Sequence, residues 1–141
     1  LVGTYKMGTK TVEVTANADG KTYTLTGFSD FGNVQAEYAR TLGTLSINSQ
    51  YLGIAGDNYY AYLCVFDSGS SYLTWLDGTG LFGINSTGDK LTITFKDNGV
   101  WGSYVAKSFI TYAFTGLPPS NSNADKSLEL FPAPLVMEKT R

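Results

Sequence analysis

Residues 59 to 76 read Tyr59-Tyr60-Ala61-Tyr62-Leu63-Cys64-Val65-Phe66-Asp67, then Ser68-Gly69-Ser70-Ser71, then Tyr72-Leu73-Thr74-Trp75-Leu76. The reading of this stretch decides the fold. In the first run both parities are apolar: Tyr59, Ala61, Leu63 and Val65 alternate with Tyr60, Tyr62, Cys64 and Phe66. Successive side chains of a strand point to opposite faces, so neither face here is plainly polar. Such a strand is covered on both sides or lines a cavity. With the short Ser/Gly turn and the second apolar run, the stretch predicts a hairpin at the centre of a sheet.

Outward from this hairpin the chain continues as short strands. Val12, Val14 and Ala16 share one parity of the run 11 to 16, and Tyr23 and Leu25 share one parity of the run 21 to 26. Between them Asn17-Ala18-Asp19-Gly20 is a turn, since Asp-Gly supplies the positive φ of a tight hairpin. Gly27 to Asn33 reads as a loop carrying Phe28 and Phe31. Val34 to Arg40 admits a short helix by propensity or a strand with Val34, Ala36 and Tyr38 on one face, and we read the strand. Leu45 and Ile47 point inward from the next run, which continues into residues 48 to 53.

Beyond the hairpin, Asp77 to Gly80 is a turn, followed by Leu81 to Ile84 and a second turn at 85 to 89. Lys90 to Lys96 alternates most cleanly, with Leu91, Ile93 and Phe95 against Lys90, Thr92, Thr94 and Lys96, which predicts one wet face. Ser108 to Phe114 is apolar on both parities. Gly116 to Lys126 reads as a surface loop. The end of the chain packs back, and Pro132 and Pro134 suggest an edge or wrapping strand. Strands at this spacing predict an all-β fold, an antiparallel up-and-down barrel, with a β-sandwich as the alternative. At 141 residues the chain is read as one domain, residues 1–141, of a size that builds a core without staples.

Composition prunes function. Ten Lys plus Arg against twelve Asp plus Glu give a net charge of -2, and no basic cluster exists to neutralise a phosphate backbone, so nucleic acid is not an expected partner. With no histidine, Ser-His-Asp and Cys-His systems, H-E-x-x-H metal sites and imidazole acid–base chemistry are absent. Cys64, the single cysteine, sits in an apolar run and reads as a buried, inert thiol. No disulfide can form within the chain. Leu1 is not an initiator and no leader-like segment follows it, which reads as a processed or trimmed product. No apolar run reaches the ~18–20 residues of a membrane-spanning helix.

Several patterns carry chemistry only in the right context. Gly78-Thr79-Gly80-Leu81-Phe82-Gly83 spells G-x-G-x-x-G, yet strand and turn follow it where a dinucleotide site needs a helix; turn glycines are the plainer reading. Asp57, Asp67, Asp77 and Asp89 sit in turns without the spacing of a calcium loop. Asn85-Ser86-Thr87 is a glycosylation sequon, with meaning only on a eukaryotic secretory route. Glu13 and Glu37 are the acidic residues placed well inside strands, and glycoside hydrolysis by them requires a short carboxyl separation. Catalytic and metal-ligating residues are therefore not assigned, no cofactor is expected, and the chain is read as a non-enzyme.

The aromatics are the stronger clue. Tyr59, Tyr60, Tyr62, Tyr72, Trp75, Trp101 and Tyr104 cluster around the central hairpin and its downstream neighbours, and are the candidate ligand-binding residues. Aromatic rings stack on sugar faces and fill apolar pockets while their polar tips make hydrogen bonds. The expected ligand is a glycan or a small apolar molecule, held by an aromatic patch or the barrel mouth. The alternative is a structural or protein-interaction domain with no small ligand.

Gly3-Thr4-Tyr5, the threonine-rich run Lys21 to Phe28 (KTYTLTGF), the run Gly43 to Gly53 (GTLSINSQYLG) and the closing apolar run ending at Lys139 resemble the small β-rich lipoproteins of gut Bacteroidetes, often with lipocalin-like (calycin-like) barrels. The resemblance implies export to the periplasm or outer-membrane surface, attachment through a lipidated cysteine that is not in this sequence, and a role in nutrient capture. It carries over no functional residues.

Overall fold

The computed structural model describes residues 1–56, 59–67, 79–97, 100–101, 107–114, 124–131 and 135–140, leaving aside the side chains of 66–67, 93–97, 100–101, 107–108 and 124–126. In chain order the strands are β1 (Gly3–Met7), β2 (Lys10–Ala16), β3 (Thr22–Ser29), β4 (Gly32–Ala39), β5 (Thr44–Asn48), β6 (Gln50–Gly56) and β7 (Tyr59–Asp67). They continue as β8 (Thr79–Ile84), β9 (Lys90–Asp97), β10 (Val100–Trp101), β11 (Lys107–Phe114), β12 (Ala124–Phe131) and β13 (Val136–Lys139).

Eight of them close an antiparallel barrel in the order β1-β2-β3-β4-β5-β8-β9-β13, with β13 returning to β1. The chain order is up-and-down, interrupted twice: β6 and β7 leave the barrel after β5, and β11 and β12 leave after the short β10. The two excursions meet as a second sheet, ordered β12-β11-β7-β6.

Alternation explains the barrel. One parity of each strand points inward, and Tyr5, Val12, Val14, Leu25, Val34, Leu45, Ile47, Phe82, Leu91 and Met137 are all fully buried. An eight-stranded barrel is just wide enough for side chains to fill, and these point into it. The other parity of the described side chains is mostly Thr, Ser, Gln, Asn, Glu and Lys facing water, with Leu81 and Val136 as partly buried exceptions. At the β2–β3 hairpin the Asp19 carboxylate accepts from the Lys21 and Thr22 backbone N–H groups at 3.0 and 2.8 Å and from the Thr22 hydroxyl at 2.6 Å. Those three donors hold its pKa down at about 2.

The segment read as a loop from Gly27 is the end of β3. The ladder slips between Leu25 and Ser29, and Gly27 takes φ 91° where a Cβ would be driven into the Thr11 carbonyl oxygen. This bulge reverses the parity and turns Phe28 inward. The Phe28 ring meets Phe82 of the barrel at 6.5 Å and Phe109 and Phe131 of the second sheet at 6.1 and 5.1 Å. Through it the barrel and one face of the second sheet (Leu63, Val65, Phe109, Phe131) share a single core.

The seam also holds a polar lock. One oxygen of Glu129 accepts from the Ser29 and Thr111 hydroxyls at 2.6 and 3.1 Å; the other accepts from the Asp30 N–H at 2.9 Å and Lys10 Nζ at 3.2 Å. Lys10 also pairs with Asp30 at 3.2 Å and lies 5.8 Å from the Phe131 ring centre. Burial works against the charge on Lys10, but its hydrogen bonds to Glu129 and Asp30 prevail and hold its pKa above the ordinary value.

Two expectations are corrected. β13 is not an edge: it pairs with both β1 and β9 and closes the barrel, with Met137 fully buried. Residues 132–134, with both prolines, lie outside the described residues. Ala124 to Lys126 belong to β12 rather than to a surface loop. β7 is an internal strand, flanked by β6 and β11; the return arm predicted at 72 to 76 lies outside the described residues.

Candidate functional site

β7 carries the predicted tyrosines on both of its faces. Tyr60 and Tyr62 share the face of the second sheet that points away from the barrel, while Tyr59 has the parity of Ala61, Leu63 and Val65. Trp101 is placed by its backbone in β10, opposite Lys96 of the barrel sheet, so it does not share a sheet with them. Tyr72, Trp75 and Tyr104 lie outside the described residues. Beside Tyr60 and Tyr62 the ladders bring three aromatics that the sequence reading passed over: Tyr51, Tyr112 and Phe114.

This face grades from buried to open. Phe114 and Cys64 are buried, Tyr62 packs against Phe114 at 6.1 Å, and Tyr112 lies 6.3 Å from Phe114. Burial and the neighbouring Cys64 thiol raise the Tyr112 pKa. The Cys64 thiol donates to the Tyr62 carbonyl at 3.6 Å, in keeping with an inert role. Towards β6 the face opens: Tyr51 leans on Tyr60 at 6.2 Å with 43% of its surface exposed, and Ile54 is 73% exposed.

Tyr51 also borders an open cleft of about 440 Å³ between the outer surface of β4 and β5 and the start of β6. The cleft exists because the chain leaves the barrel at Ser49. Past the Glu37–Ser46 pair, β4 has no partner from β5, and the Gln50 side-chain amide takes the vacant place. Its oxygen accepts from the Gln35 N–H at 2.8 Å, and its nitrogen donates to the Gln35 and Asn48 carbonyls at 2.9 and 3.0 Å. A side-chain amide thus imitates one peptide unit of a strand. Beyond it Gly32 lets the β4 and β6 backbones touch, since a Cβ there would be driven into the Leu52 carbonyl.

The wall of the cleft is held in place by its own hydrogen bonds. Asn17 Nδ2 donates to Gln35 Oε1 and Thr22 Oγ1, both at 2.9 Å, and Thr24 Oγ1 donates to Asn17 Oδ1 at 2.7 Å. Thr79 Oγ1 donates to Asn48 Oδ1 at 2.8 Å. The Glu37 carboxylate, exposed on the same wall, has no hydrogen-bond or ion-pair partner among the described residues. The arrangement offers fixed amides and hydroxyls, one free carboxylate and one half-exposed ring.

Glu13 and Glu37 do not form a hydrolytic pair. Both face outward, but β3 lies between them, and their ladder partners Thr26 and Thr22 are four residues apart, two repeats of the pleat. Two strand spacings across and four residues along put them roughly 16 Å apart, beyond the ~5–9.5 Å of either glycosidase geometry. Gly80 and Gly83 lie within β8, and a strand rather than a helix comes next, so no phosphate cradle forms there. The Asp89 carboxylate accepts from Asn85 Nδ2 at 2.7 Å and Thr87 Oγ1 at 2.6 Å, closing its own turn. Among the described residues no group of three or more potential ligands could hold a metal ion.

The DUF4987 family model, described as a domain of unknown function, matches residues 2–112. The match runs from the start of the barrel into β11; β12 and β13 lie beyond it. No curated protein and no solved structure matches the chain.

Proposed function

We propose that this chain, which belongs to the DUF4987 family, is a non-catalytic glycan-binding module of an exported or surface-anchored protein, with its site at the cleft between β4, β5 and β6. The observation that carries this reading is Tyr51: its ring stands 43% exposed at the end of a hydrogen-bonded polar wall. A pyranose has apolar faces and a hydroxyl rim. Tyr51 offers the faces a stacking surface, Glu37 accepts from a pair of hydroxyls, and Gln35 and Asn48 stand beside them. Because the wall is already ordered, little conformational freedom is lost on binding. The export and anchoring rest on the lipoprotein resemblance alone.

Calorimetric titration with a panel of soluble oligosaccharides tests the reading. A saturable response that Tyr51→Ala weakens by about tenfold, the scale of one aromatic contact, supports it. Silence across the panel, or binding indifferent to both Tyr51→Ala and Glu37→Gln, overturns it.

The second reading, a protein-interaction domain without a small ligand, is supported by Ile54 and Leu130. They are 73% and 59% exposed on the same face of the second sheet. A silent panel moves this reading to first place.

A further inference from the structure

A larger cleft, of about 590 Å³, lies on the other side of the seam, between the β1–β2 turn and the end of β12 with the start of β13. Its size is within the ~300–1,000 Å³ usual for small-molecule sites. The floor is apolar: Met7, Phe131 and Leu135 are buried at its base and Leu130 is 59% exposed at its edge. The rim is charged, and its charges are not equally engaged. Lys10 is bound to Glu129 and Asp30. Glu138 pairs with Lys90 at 3.9 Å. Lys6, opposite Glu138 in the ladder, forms no ion pair among the described residues, where its Nζ donates to the Thr11 hydroxyl at 2.9 Å. The cleft therefore joins an apolar floor to one cation whose charge is not taken up by a carboxylate among the described residues.

We propose that this cleft is a second binding site, for an amphipathic acid whose apolar chain lies over Leu130, Phe131 and Leu135 and whose carboxylate is held by Lys6. The site is separate from the Tyr51 cleft and does not depend on it. A chain of apolar carbons removes its own surface and that of Leu130 from water, and affinity grows with each methylene buried. The acid headgroup adds selectivity rather than strength, because an exposed ion pair contributes at most ~1 kcal/mol.

The test is an amide-resolved NMR titration of the whole chain with decanoate, decanol and decylammonium in parallel. Expected are saturable shifts confined to Met7, Gly8, Thr9, Leu135 and Val136, with decanoate bound more tightly than decanol and decylammonium weakest. Lys6→Gln should weaken decanoate about fivefold and leave decanol unchanged, and Leu130→Asp should abolish both. Both residues are exposed at the cleft edge, and thermal unfolding of each variant verifies the fold. Absence of saturable shifts, equal affinity for acid and alcohol, or indifference to Lys6→Gln overturns the proposal. None of these outcomes bears on the oligosaccharide titration.

Discussion

The barrel and the second sheet solve the same burial problem in opposite ways. Barrel strands are apolar on one parity only, because closure makes one face an interior and leaves the other wet; Val12 and Val14 against Glu13 and Thr15 show the pattern. Strands β7 and β11 are apolar on both parities. One face joins the barrel core through Leu63, Val65 and Phe109, and the other buries Cys64, Ile110 and Phe114. The lesson is that two-sided apolarity marks the strands that leave a barrel, not those at its centre. The sites follow the same division: the polar cleft is built on the wet face of the barrel, and its aromatic edge is supplied by the sheet.

The comparison breaks first at Phe28, whose ring touches both regions. Phe28→Ala should destabilise the protein by about 3–5 kcal/mol in urea unfolding. If the two regions are one cooperative unit, fluorescence and far-UV dichroism will still report a single coincident transition; two transitions would mean that the sheet folds separately. Next is the polar lock. Glu129→Ala leaves Lys10 with Asp30 alone and the Ser29 and Thr111 hydroxyls without their shared acceptor at the seam, with an expected loss of about 2–3 kcal/mol, reduced when Lys10→Met is added. A double-mutant cycle measures that coupling directly. Gly27→Ala, with φ 91° and a Cβ aimed at the Thr11 carbonyl, should cost about 1–3 kcal/mol by chemical denaturation, without the larger cavity effect of Phe28→Ala.

The smallest effect belongs to the barrel alone. Asp19 has a folded pKa of about 2, below its usual 3.8, so its turn favours the folded state above the usual value. That contribution is lost as pH falls through about 2. The difference in thermal midpoint between wild type and Asp19→Asn should therefore be full at neutral pH and vanish towards pH 2. A pH-independent difference would show that the carboxylate's charge is not what holds the turn.

The barrel was legible where alternation was clean and the turn residues spoke for themselves, as in the Asn17 to Gly20 hairpin and the run from Lys90. What escaped had a physical reason in each case. A bulge at Gly27 inverts parity, so Phe28 looked like a loop residue. The break at Ser49 is one residue long, so β5 and β6 read as one run and Tyr51 was assigned no face. Local pattern says nothing about which distant strands pair, so β13 looked like an edge. Tyr60 and Tyr62 stood out because they are aromatic, but they lie beside the cleft and do not line it. Gln35, Asn48 and Gln50 were not singled out, and Glu37 stood out only as a partner for Glu13, because outward amides and carboxylates look the same whether they form a wall or merely face water.

The place of β13 has a consequence for how the protein comes into being. Residues 136–139 are the bridge between β1 and β9, and the Thr140 N–H donates to the Thr4 carbonyl at 2.7 Å, joining positions more than a hundred residues apart. β1 is made well before β13, and the two can pair only after the strands between them have been made. Until then two strands keep unpaired margins that invite pairing with other chains. The contact that closes the barrel is thus a long-range one rather than a local turn, the kind of pairing that slows folding. A circular permutant that joins β13 directly to β1 should shorten that wait and aggregate less during refolding.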